Sequence, residues 1–184
     1  CGEFPLDHAW PSNVWVGTSA GTAWSARVRI PRLLRIPAPV RFVSAEPLLQ
    51  RVDLQEWITD VERCPVCNGS CSVPAPGGGK ACDACYDDVS GQGALTTWVA
   101  NHIGWVIAGG ESGPGHRGLN LDHARLLRDQ CALAGIPYFF KQVGGATPKA
   151  GGILLDEQLH YAWPAAAGDR SDLIALAAAA AGVR

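Results

Sequence analysis

Four short apolar runs, each ending in a small or polar residue, constrain this chain more than anything else in it. They are residues 13–19 (NVWVGTS), 40–46 (VRFVSAE), 105–111 (WVIAGGE) and 137–142 (PYFFKQ). Runs of four to seven β-branched or aromatic residues, apolar almost throughout, suit strands of a parallel sheet covered on both faces. Helical periodicity lies between them. Ala124, Leu127, Cys131 and Ala134 fall on one stripe over residues 121–134, widened by Leu126 and Leu133. Asn120 or Asp122 can cap its start, and Gly135 followed by Pro137 closes it. A second helix fits part of residues 24–36, where Pro31 is expected to break it or open a new turn. Strand–helix–strand alternation implies right-handed βαβ units and a parallel α/β fold.

One segment interrupts that rhythm. Residues 64–93 are rich in Gly, Pro, Ser, Asp and Cys and poor in apolar side chains, so they cannot bury a core of their own. Cys64-x-x-Cys67 and Cys82-x-x-Cys85 supply two pairs of thiolates, the tetrahedral S₄ set that Zn²⁺ accepts. A structural zinc site on Cys64, Cys67, Cys82 and Cys85 is therefore expected, with Cys71 free. The alternatives are unliganded thiol pairs, an iron site, or a three-cysteine set of Cys64, Cys67 and Cys71. The unit Cys64-Pro65-Val66-Cys67-Asn68-Gly69 resembles one repeat of the zinc knobs of DnaJ-type co-chaperones, a likeness that implies metal binding rather than chaperone activity. Paired C-x-x-C units point to a reducing compartment, so a cytoplasmic location is expected.

The division that follows is residues 1–63 with the first two strands, the inserted knob at 64–93, residues 94–150 with the last two strands, and a C-terminal piece at 151–184. In that last piece a hairpin is expected at 151–164, turning at Asp156-Glu157, then an Ala-rich helix over 169–182. The 184 residues are 47% hydrophobic and 17% charged, with a net charge of -2. That balance argues against broad electrostatic binding of nucleic acid or anionic membrane, although a local basic patch is compatible with it. No apolar run is long enough for a membrane span. The chain holds no Met and opens on Cys1-Gly2-Glu3. The expectation is a portion of a longer protein, whose N-terminal half lies upstream or on a partner chain; a trimmed natural chain is the alternative.

Ligands of parallel α/β folds gather at the carboxyl ends of strands. Here those ends carry Thr18-Ser19, Ser44-Ala45-Glu46, Gly109 to Arg117, and Lys141-Gln142. A pocket holding Glu46, Glu111 and Lys141 suits a small polar or zwitterionic ligand, with glycines letting backbone N–H groups approach an anion. The competing reading is a structural Glu46–Lys141 ion pair and a plain turn. His116 and His123 are read as surface residues; Trp15, Trp105 and Phe140 are read as core.

The phrases Asn13-Val14-Trp15-Val16-Gly17, Arg41 to Leu49, Gly109 to Pro114, Leu127 to Cys131 and Phe139 to Gln142 resemble the phage-associated "three-Cys-motif" family, a domain of unknown function common in bacteriophages. The likeness spans roughly residues 11–165 outside the insertion. It implies the C-terminal half of a partial (β/α) barrel similar to radical S-adenosylmethionine enzymes. It also implies a [4Fe–4S] cluster and S-adenosylmethionine if an N-terminal part carries the cluster cysteines. It further implies site roles for Glu46, Glu111, Ser112, Arg117 and Lys141, and Gln142 joins them as a ligand candidate from its place at the strand end. Two departures stand out: Ala20-Gly21-Thr22 where the family has Val-Glu-Asn, and Val143-Gly144-Gly145 where it has Trp-Gly-Glu. Two functions follow. One is an enzyme portion acting on a nucleotide or other small polar ligand. The other is a non-enzymatic binding module whose zinc knob is the contact surface. A remnant with exposed sheet edges, prone to self-association, is the third reading.

Overall fold

The computed structural model describes residues 10–11, 13–58, 72–75, 78–81, 86–87, 94–95, 103–147, 150–165 and 171–182. Its centre is a four-stranded, wholly parallel sheet of β1 (Val16–Ser19), β2 (Arg41–Ala45), β7 (Trp105–Gly109) and β8 (Tyr138–Gln142). Each strand is shorter than its apolar run. The strands lie side by side in chain order, β1-β2-β7-β8. The stretch between β2 and β7 contributes two small antiparallel ladders, β3 (Ser72–Ala75) with β4 (Gly78–Ala81) and β5 (Tyr86–Asp87) with β6 (Ala94–Leu95). Cys64, Cys67, Cys71, Cys82 and Cys85, and with them the expected zinc site, lie outside the described residues.

Helix α1 (Ala23–Leu34) starts at a capping box: Ser25 N–H donates to Thr22 Oγ1 at 3.1 Å, and Thr22 N–H donates to Ser25 Oγ at 3.0 Å. Pro31 does not break it. Pro31 is exposed, so its ring and the carbonyl it leaves without an N–H partner face water rather than the core. Arg41, buried at the start of β2, donates to the carbonyls of Leu34 (3.3 Å) and Ile36 (3.2 Å) just past the helix end. A guanidinium is favoured there by the negative end of the helix dipole. Helix α3 (Leu121–Ala134) covers the expected residues. Asn120 caps it by accepting from Asp122 N–H, and Gly135 ends it in the left-handed region at φ 63°. Leu133 does not widen the buried stripe, for it is 88% exposed. The short α2 (Gln55–Ile58) is tied to α3 through buried Gln130, which accepts from Leu54 N–H at 2.9 Å and donates to Asp53 at 2.6 Å.

Period-two alternation sorts the sheet into two faces. Val43, Ala45, Val106, Ala108, Tyr138 and Phe140 join Ala26, Ile30, Leu33, Ala124, Leu127 and Cys131 in one buried cluster with the helices. The alternate residues Phe42, Trp105 and Phe139 turn to the other face. There Trp15, Tyr161 and Trp163 gather on them, with Phe139 and Tyr161 stacked at 4.1 Å between ring centroids. Trp105 and Phe140 are core as expected, and Trp15 is half-buried.

The expected C-terminal hairpin is smaller than drawn. Asp156 and Glu157 both take positive φ (55° and 62°), and Leu155 and Gln158 exchange hydrogen bonds across them, the geometry of a type I′ turn. Beyond the turn the chain leaves the short Leu155–Gln158 bridge for the sheet. It lies antiparallel along the free edge of β8, with Phe140 N–H on His160 O (2.7 Å) and Ala162 N–H on Tyr138 O (3.0 Å). Pairing with β8 satisfies a strand edge that would otherwise face solvent unpaired. Helix α4 (Ser171–Ala181) follows.

Candidate functional site

The carboxyl ends of the four strands lie along one end of the sheet, and on the face away from the helices they present Ser19, Ser44, Glu46 and Lys141. The register explains this. Ser19 pairs with Ser44, and Ser44 with Ile107, so these three point the same way. Glu46 lies two residues beyond Ser44 and returns to that face. Glu46 Oε2 accepts from Ser44 Oγ at 3.0 Å, and Glu46 Oε1 meets Lys141 Nζ at 3.2 Å. The carboxylate is well shielded, with 19% of its side-chain surface accessible, while the lysine keeps 55%. Gly109 makes the space between them. A Cβ on Gly109 would stand 2.9 Å from Glu46 Oε1 and 3.5 Å from Lys141 Cβ, so any side chain there intrudes on the ion pair. The result is a fixed carboxylate facing an ammonium on a long, mostly exposed stem.

Glu111 and Arg117 form a separate fastener. Glu111 accepts from the Arg117 backbone N–H (2.9 Å) and from Arg117 Nε and Nη2, one edge of the guanidinium (2.7 and 2.8 Å). The Arg117 side-chain and backbone bonds hold the Glu111 carboxyl at about 2, well below the usual carboxylate range. In this arrangement Glu111 closes the loop after β7 instead of offering an open acceptor. Ser112 and Gln142 form a third group: Gln142 Nε2 donates to Ser112 Oγ and to Gly110 O. The structure thus divides the six expected ligand residues into three pairs. Both ion pairs keep an exposed cation, 55% for Lys141 and 61% for Arg117; they differ in that Glu111 is tied to Arg117 by three hydrogen bonds, whereas Glu46 meets Lys141 through one contact at 3.2 Å.

The two departures from the family phrases fall where backbone meets backbone. Leu49 and Gln50 N–H both reach Gly21 O (2.9 and 3.2 Å), and a Cβ on Gly21 would collide with the Pro47 carbonyl. Gly145 N–H binds Glu111 O at 2.9 Å while Gly113 N–H binds Gly145 O at 2.9 Å. Small residues at 21 and 145 allow neighbouring strand-end loops to zip together.

Sequence reasoning placed Ser44 at a strand end and gave it no role. The signal was present, since serine two residues before a strand-end glutamate shares its face. Neither histidine joins the cluster. His116 is exposed and bonded to Gly113 O, and His123 is half-buried rather than a surface residue. Among the described residues no group of three His, Cys, Asp or Glu could hold a metal. Cys131 is buried, and burial pushes its thiol up to about 12. A shallow groove of about 420 Å³ lies elsewhere, between the end of α3 and residues 159–162, lined by Arg128, Ile136, Tyr138, His160, Tyr161 and Ile174. It is largely apolar and lacks the strand-end charges.

These features define the class: a parallel α/β protein with a charged cluster at its strand carboxyl ends. The chain belongs to the family described as "Protein of unknown function (DUF5131)", whose model matches residues 3–164. No curated protein and no solved structure matches it.

Proposed function

We propose that the Glu46–Lys141 cluster is the seat of a small polar ligand, and that the four strands are one part of a radical-S-adenosylmethionine-like (β/α) barrel. The observation that carries the first half is the asymmetry of the pair. A shielded, serine-held carboxylate beside a solvent-exposed ammonium, with glycine leaving the gap open, can exchange its internal partner for a ligand's cationic or hydroxyl group. The released Lys141 then meets the ligand's carboxylate or phosphate. The second half is supported by the strand order, which advances without a reversal as it does around a barrel, and by the resemblance.

The described residues do not fit an iron–sulfur cluster, since Cys131 is buried and isolated. No chemical step through a cluster is therefore assigned to them; their role is binding and orientation. The site on Cys64, Cys67, Cys82 and Cys85 is proposed as structural zinc on ligand spacing. Element analysis of purified protein should give about one zinc per chain by that ligand set; folded protein without bound metal would remove the knob from the account.

The seat is tested by thermal-shift measurements with S-adenosylmethionine, S-adenosylhomocysteine and nucleoside monophosphates. At least one should raise the wild-type melting temperature and leave Glu46→Gln unmoved. Ligand at about 100 times its dissociation constant adds about 2.7 kcal/mol. Equal shifts in both proteins, or no shift with any compound, would remove the ligand seat.

A further inference from the structure

We infer that the exposed face of α1 is a binding surface for single-stranded nucleic acid, separate from the strand-end cluster. Charge is distributed very unevenly along this chain. Residues 13–45 carry five arginines and no acidic residue, although the whole chain has 15 Lys and Arg against 17 Asp and Glu. Four of the five belong to α1 and its C-terminal cap, namely Arg27, Arg29, Arg32 and Arg35, and all are exposed. The fifth, Arg41, is buried and faces the carbonyls past the helix end. Arg29 donates to Ser19 O at 2.9 Å. Arg27, Arg32 and Arg35 form no ion pair among the described residues, whereas Arg51, Arg117, Arg125 and Arg128 each hold a carboxylate.

Helical spacing sets the three unpaired arginines beside an aromatic. At 100° per residue, Trp24, Arg27, Pro31 and Arg35 share one side, and Arg32 flanks it. Trp24 is 69% exposed. The opposite stripe, Ala26, Ile30 and Leu33, is sunk in the core, so the helix is docked and its basic side is turned outward. From Arg27 to Arg35 the helix rises about 12 Å, room for more than one phosphate of an extended strand.

The chemistry selects the partner. Every cation here is an arginine, whose planar fork grips phosphate oxygens in pairs. An exposed indole offers a stacking surface to an unpaired base, and stacking beside a cationic track is how single strands are held without sequence reading. An anionic membrane is a poorer match, because a helix that lies on lipid presents an apolar side outward, and that of α1 is already buried. The chain's small net charge is compatible with this surface, because the field is local.

The test is fluorescence anisotropy with a labelled oligothymidylate of about 12 nucleotides, using the full chain at several salt concentrations. Three phosphate contacts predict that log K falls against log salt with a slope of about −2. The variant Arg27→Gln/Arg32→Gln/Arg35→Gln should weaken binding at low salt by roughly tenfold or more and flatten that slope. Trp24→Ala should keep the slope and weaken binding roughly tenfold. Arg51→Gln, which removes an exposed arginine elsewhere, should change neither. If the triple variant loses its melting transition, the single reversals Arg27→Glu and Arg35→Glu carry the comparison. Absent wild-type binding, a triple variant that binds as wild type, or tighter binding to phosphatidylserine vesicles or polyglutamate than to the oligonucleotide would overturn the assignment.

Discussion

At the scale of single residues, Glu46, Glu111 and Asp156 do different jobs according to what surrounds them. Glu46 is held by a serine and an exposed lysine and keeps an exchangeable partner. Glu111 is closed by three bonds from Arg117. Asp156, in a left-handed turn, is clamped by Arg125 at 2.7 Å and Arg128 at 2.6 Å. The Arg125 and Arg128 bonds hold the Asp156 carboxyl at about 2. A carboxylate whose folded value is depressed stabilises the fold above its unfolded value, and that contribution is lost as pH falls through the folded one. Between about pH 4 and pH 2 the clamp should therefore release. A carbon-13 carboxyl titration should place Asp156 near 2 in the wild type and higher in Arg125→Gln; the same midpoint in both would show that the guanidinium does not set it. No residue pattern announced this clamp. Its members are 28 and 31 positions apart and meet only because the return segment packs on α3.

At the scale of elements, legibility followed the locality of the cause. Helix α3 was readable because its cap, stripe and stop are all written within its own residues. The left-handed Gly135 is its most specific mark, and Gly135→Ala should cost about 1 kcal/mol in urea denaturation; an unchanged midpoint would contradict the cap. Helix α1 was harder to read. Pro31 normally ends a helix, and only its exposed position explains why this one continues. The C-terminal hairpin was half readable. The Asp156-Glu157 turn is local chemistry, but the pairing of residues 160–162 with β8 is a tertiary choice that no short window contains.

At the scale of the whole molecule, four apolar runs were enough to give a parallel α/β sheet. The helices bury one face of that sheet in a continuous core, and the other face grades from an aromatic end at Trp105 to a charged end at Glu46 and Lys141. That gradient was legible as a list of strand-end polar residues. Which of them remain open to a ligand was not, because the answer depends on cross-strand partners such as Arg117 and Ser112. The central claim is that Glu46–Lys141 is a binding seat and not only a brace. As a brace, a pair whose lysine is exposed contributes on the order of 1 kcal/mol. The charge-swapped double variant Glu46→Lys/Lys141→Glu separates the two roles, because it restores the pair while inverting the seat. The measurement is its melting temperature without and with the compound that shifts the wild type. The account predicts near-wild-type melting without ligand and no shift on adding it; a wild-type shift in the swapped protein would contradict the seat and leave the pair a structural one.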